Sequence, residues 1–172
     1  VPFQVAYAFD TLKNDVARKP DLEQDPMVEA VLKGDLGKLL AGPHHDGLLH
    51  VFALTHAGMT TVQFQRRVEV WLSTARHPRY ERPYDQITYQ PMQEVLAYLR
   101  ANGFKTFIVS GGGIEFMRPW TEMVYGIPPE QVIGSSIKTK FEMQEGKPVL
   151  VRLPELDFFD DKEGKPVAIN QY

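Results

Sequence analysis

The stretch Phe107-Ile108-Val109-Ser110-Gly111-Gly112-Gly113 constrains this chain more than any other. A short apolar run rich in strand-forming residues leads into a serine and three adjacent glycines, and a helical pattern follows from Ile114 to Tyr125. The run Phe104 to Val109 reads as a buried strand. Open parallel sheets bind ligands beyond the carboxyl ends of their strands. Glycines let the backbone approach an anion, and the start of the next helix offers free N–H groups with a partial positive charge. One glycine would serve a tight turn; three in a row leave a bare backbone cradle. A serine at that edge can donate its hydroxyl to an oxyanion.

Other glycine motifs fit poorly. A Walker A loop needs Gly-Lys-Ser/Thr, which is lacking. The dinucleotide pattern would need a small residue where Phe116 stands, and a nucleophile elbow would need glycine at Ile108. Ser110 is therefore read as an anion ligand and not as a nucleophile.

The surrounding pattern places this junction in an α/β chain: a partial Rossmann-like parallel sheet with helices, plus an α-helical cap. Val5, Ala8, Phe9, Leu12 and Val16 recur at helix spacing. Asp25-Pro26 reads as an N-cap followed by proline in the first turn, opening a helix to Lys33. Gly42 to Gly47 reads as a loop, and helices follow around Leu48 to Ala53 and from Thr60 or Thr61 to Ala75. His77-Pro78 breaks the last of these, and the stretch to Tyr89, with Tyr80 and Tyr84, reads as linker packing. Met92, Val95, Leu96 and Leu99 give a helix with one apolar face, stopped by Asn102-Gly103. Gln131 to Ile133 is a brief strand, and Lys138 to Met143 and Val149 to Leu153 flank a hairpin turn at Glu145-Gly146. Gly164-Lys165-Pro166 opens a last helix. The expected organisation is a helical region 1–88 and a sheet region 89–172.

Composition narrows the chemistry. Among 172 residues there is no cysteine, so disulfides, thiolate zinc sites and a cysteine nucleophile are excluded. Nineteen basic and 22 acidic residues carry no basic stripe of the kind that binds nucleic acid. No apolar run reaches the ~18 residues of a membrane span. Neither feature chooses between a cytoplasmic and a periplasmic setting. The first residue is Val and the last residues show no helix end, so both ends are read as cuts through a longer polypeptide.

Lys165 is the second candidate site residue, because it precedes a proline at a helix start, where a bound anion would also lie. Lys162 competes for that role, and an exposed lysine in a polar turn is the ordinary alternative. His44, His45, His50, His56 and His77 lack the spacing of a helical metal site. Asp157, Asp160 and Asp161 form an acidic cluster that could hold a divalent cation but equally reads as a solvated turn.

Taken together, Leu99-Arg100-Ala101-Asn102-Gly103, Phe107-Ile108-Val109-Ser110 with Gly111-Gly112, the hairpin at Gly146-Lys147, and Gly164-Lys165-Pro166 resemble the haloacid dehalogenase-like hydrolases, in particular the phosphoserine phosphatase-like branch. The likeness is clearest over Tyr89 to Tyr172. It implies a phosphomonoester hydrolase acting on a small phosphorylated substrate through an aspartyl-phosphate, with residues 1–88 as the cap. Ser110 would hydrogen-bond the transferring phosphoryl group, as would the Gly111 backbone N–H, with Gly112 completing the phosphate site. Lys165 would neutralise charge between nucleophile and phosphate. The family's magnesium is implied as well. However, the Asp-x-Asp that supplies its nucleophile is lacking: Phe9-Asp10-Thr11-Leu12 is the nearest string and lies in a helical pattern. The acidic pair that binds magnesium is lacking too. The resemblance thus implies a chain inactive by itself, and a non-catalytic binding or interaction module remains the alternative.

Overall fold

The structure, a computed structural model, describes residues 2–42 and 46–171. The loop expected at Gly42 to Gly47 falls partly outside them, as do His44 and His45. The described elements are α1 (Phe3–Arg18), α2 (Pro26–Lys33), α3 (Leu36–Leu39), α4 (Asp46–His56), α5 (Thr61–Thr74), α6 (Gln90–Ala101), β1 (Ile108–Gly113), α7 (Ile114–Tyr125), β2 (Val132–Gln144), β3 (Lys147–Phe158) and α8 (Gly164–Gln171). The chain is an α/β protein whose three strands lie in the order β1-β2-β3. β1 and β2 run parallel, joined through α7, as in a partial Rossmann-like fold.

Contacts divide the chain into two units, Val1–Thr60 with Lys138–Glu155 and Thr61–Ile137 with Leu156–Tyr172. In the first, α1 buries Ala8, Leu12 and Val16 at helical spacing against Val28 and Val31 of α2 and Val51 of α4. α2 starts where the sequence puts it: the Asp25 carboxylate accepts the Met27 and Val28 N–H groups at 2.8 and 3.3 Å, and Pro26 takes the first turn. Gly34 stops it in the left-handed region, at φ 71°. In the second, α5 packs along α7, with Phe64 and Val68 fully buried. The stretch after α5 belongs to this unit. Tyr84 is buried and its ring stacks on Trp71 at 4.9 Å, while Tyr89 is exposed and packs little.

Two expectations shift. The strand before the glycines is not Phe104 to Val109 but Ile108–Gly113, because pairing with β2 starts at Ile108↔Val132 and runs into the glycines. Phe104 and Phe107 stay exposed. The brief strand at 131–133 and the first hairpin arm are one strand, β2, since Gly134 and Ser135 continue the ladder with β1. α6 forms as expected, yet none of its residues is buried, and Met92 and Val95 are largely exposed. The hairpin is as read: Glu145 and Gly146 both take positive φ, 51° and 76°, the turn whose twist suits two paired strands. β1 ends the strand order, and among the described residues no strand pairs with its far side.

Candidate functional site

The glycine run is no simple turn. It closes β1 with a bulge: Ser110 pairs with Gly134 and Gly113 with Ser135, so Gly111 and Gly112 have no partners across the ladder. Gly113 is then the residue before α7, and no side chain caps that helix start. The first turn of α7 thus begins where β1 ends. None of these three glycines needs a positive φ. The glycine that the packing demands is Gly134 across the ladder, where a Cβ would lie 2.6 Å from the Gly112 oxygen and 2.6 Å from the Met117 methyl carbon.

Ser110 accepts a hydrogen bond from the Gly112 N–H at 3.1 Å. Its own proton stays available for another acceptor. Lys165, in the first turn of α8, donates through its ammonium to the Val109 carbonyl at 3.1 Å and to the Asp160 carbonyl at 3.2 Å. Fifty-six positions of sequence separate Lys165 from Val109, and the fold closes that gap to a hydrogen bond. Lys162 is exposed in the preceding turn, at φ 47°, and Lys165 is the lysine that reaches β1.

Sequence reasoning missed two members of this arrangement. Ser135 donates to the Gly111 carbonyl at 2.9 Å and accepts the Asp160 N–H at 3.0 Å, tying the bulge to the segment that carries Lys165. Asp160 is 0% exposed, neither carboxylate oxygen has a hydrogen-bond partner, and its Oδ2 lies 4.0 Å from the Lys165 ammonium. No local signal marks Ser135; for Asp160 the hint was an Asp pair beside a glycine turn.

The acidic cluster does not form. Asp157 accepts from the Ser136 hydroxyl at 3.1 Å, and Asp160 faces a lysine. Among the described residues no group of three or more His, Asp or Glu side chains gathers as a metal site would require. An ammonium at 4.0 Å from Asp160 also opposes a cation there. The residues present do not fit the magnesium that the resemblance implies. The described histidines are occupied elsewhere. His50 pairs with Asp25 at 2.7 Å, and His77 stacks on Tyr80. His56 lies buried between Gln4 and Thr55. No helix among the described residues is long and apolar enough to cross a membrane.

The class defined by these observations is an α/β protein with a lysine and a serine gathered where the ladder of a parallel strand gives way to a glycine bulge that leads into a helix. No family model matches the chain, and no curated protein matches it. Among solved structures, a phosphoserine phosphohydrolase-like protein from Francisella tularensis subsp. tularensis SCHU S4 superposes over 94% of this chain and 66% of that one, at 18% identity and a TM-score of 0.45. The chain therefore spans just under two thirds of that protein. A superposition of that quality carries no chemistry; the side chains must.

Proposed function

We propose that this chain is the phosphate-gripping and helical portion of a phosphomonoester hydrolase of the haloacid dehalogenase-like superfamily, acting on a small phosphorylated metabolite. The observation that carries the reading is the Lys165 ammonium bonded to the carbonyl of Val109, the residue before Ser110. A positive charge, a serine hydroxyl proton and the backbone of a glycine bulge that leads into a helix then lie along β1, donors of the kind an incoming phosphoryl group needs. In this role Lys165 offsets the charge of the phosphoryl oxygens, and Ser110 and the Gly111 and Gly112 backbone orient them. Hydrolysis also needs a carboxylate nucleophile, and the sequence holds no Asp-x-Asp. The chain by itself is therefore expected to bind phosphate and not to turn over phosphomonoesters.

Titration of the 172-residue chain with inorganic phosphate, followed by amide chemical shifts, tests this. Saturable shifts confined to Ser110–Gly113 and the start of α7 are expected. Lys165→Ala and Ser110→Ala should each weaken binding by about tenfold, the scale of one charge-assisted hydrogen bond. Absence of saturable binding, or binding indifferent to both substitutions, sinks the reading. The lack of an Asp-x-Asp also favours a second reading, a non-catalytic module of the same fold. A polypeptide extended by its natural flanking sequence that binds phosphate yet leaves p-nitrophenyl phosphate intact would favour that module.

A further inference from the structure

We infer that Asp160 is a positioning residue, which holds the Lys165 ammonium against Val109 of β1, beside Ser110, so that it meets an anion there; this rests on the phosphate reading above. Two features of Asp160 call for a physical reason. Its carboxylate is completely buried, and neither oxygen has a hydrogen-bond partner. A buried carboxylate is costly unless an opposite charge or donors compensate it. The charge at hand is the Lys165 ammonium, 4.0 Å away. That distance is too long for a good hydrogen bond but well within the range of a strong attraction inside a protein.

The backbone of the same residue completes the arrangement. The Asp160 carbonyl accepts from Lys165, and its N–H donates to Ser135, whose hydroxyl is anchored on Gly111. Asp160 is thus fixed to the glycine bulge by its main chain and attracts the lysine with its side chain. Lys165 has about a third of its side chain exposed and a flexible four-carbon stem. Without an opposite charge beneath it, it would sample solvent. Because the carboxylate makes no hydrogen bond to the ammonium, the ammonium keeps an N–H for a ligand: two of its three donors are on carbonyls.

The sign of one measurement decides. Asp160→Asn keeps the shape and removes the charge. If Asp160 were a bystander, taking a negative charge away from an anion site would strengthen phosphate binding. If it positions Lys165, binding weakens. Inorganic phosphate titrated into the Asp160→Asn chain is expected to bind about fivefold more weakly. Acylation of Lys165, followed by peptide mass spectrometry, should be faster than in the native chain. Unchanged or tighter binding, or an unchanged acylation rate, overturns the inference. Should Asp160→Asn fail to fold, Lys165→Gln in the native background replaces it. That change strands the buried carboxylate and should lower the melting temperature by about 3 °C, whereas no change would reject the coupling. The outcomes separate this inference from the phosphate reading. Loss of binding in Lys165→Ala, with Asp160→Asn unaffected, removes Asp160 alone. Indifference to Lys165→Ala removes the phosphate reading itself.

Discussion

His56 and Asp160 are both buried ionisable side chains, and the chain treats them in opposite ways. His56, in the helical unit, is 3% exposed, and both ring nitrogens have partners: Thr55 at 2.7 Å and Gln4 at 3.1 Å. Thr55 passes its own proton to the Val51 carbonyl, so the ring donates from Nδ1 and accepts at Nε2 from the Gln4 amide. Tyr7 and Phe52 pack against the imidazole faces and edges, and the His56 carbonyl takes the Arg152 guanidinium at 2.7 Å. This is a polar group absorbed into a core. Asp160, in the sheet unit, is more deeply buried, yet neither oxygen has a hydrogen bond, and the Lys165 ammonium stands 4.0 Å off. Satisfied buried polar groups hold a structure together; an unsatisfied one needs a reason. The contrast separates scaffold from site more sharply than burial alone does, since both residues are buried.

Substitutions in the two regions should break or sharpen that contrast. The largest effect is expected at Gly134, whose missing side chain lets the bulge close on β2: Gly134→Val should cost about 3 kcal/mol in urea unfolding, because its Cβ meets backbone and cannot repack. A tolerated valine would mean that the β1–β2 junction is looser than described. Next comes His56→Ala, at about 2–3 kcal/mol, which empties a packed volume and removes one hydrogen bond each from Gln4 and Thr55 while leaving phosphate binding alone. If it altered phosphate affinity instead, the separation of scaffold from site would fail. Ser135→Ala should cost about 2 kcal/mol, leaving the Gly111 carbonyl and the Asp160 N–H without their partner. Faster hydrogen exchange at the Asp160 amide is the specific sign to look for. Smallest is Asp25→Ala at the start of α2, about 1 kcal/mol. Burial pushes the Asp25 carboxyl up, but hydrogen bonds from His50, Met27 and Val28 outweigh it and hold the group below its ordinary value. A carboxyl depressed in the folded state contributes stability above its unfolded value and loses it as pH falls through the folded one. Native-minus-variant stability at Asp25 should therefore be flat at neutral pH and shrink below about pH 4. A difference that grew on acidification would contradict this.

The helix starts and stops were legible because their chemistry is local. Asp25-Pro26 with Gly34, and Glu145-Gly146 between two strands, encode their own conformations within a few residues. The strand before Ser110 was placed four residues early, because apolarity marks a strand without saying where its partner begins; Val132 decides that. The apolar stripe of α6 signals the helix correctly and leaves its burial open, since periodicity reports a face and not what covers it. Ser110 and Lys165 could be picked out from their neighbours' glycines and proline, while Ser135 and Gly134 carry no mark in their own surroundings.

By itself, then, the order of residues determined where the helices of eight or more residues form, where the hairpin turns, and that a serine would stand beside a glycine run. Tertiary structure alone decided that Lys165 reaches Val109, that Ser135 bridges Gly111 and Asp160, and that one aspartate among several loses all its water. The division has a physical cause. Caps and periodicities act over one helical turn, whereas the burial of a charge depends on every segment that closes around it.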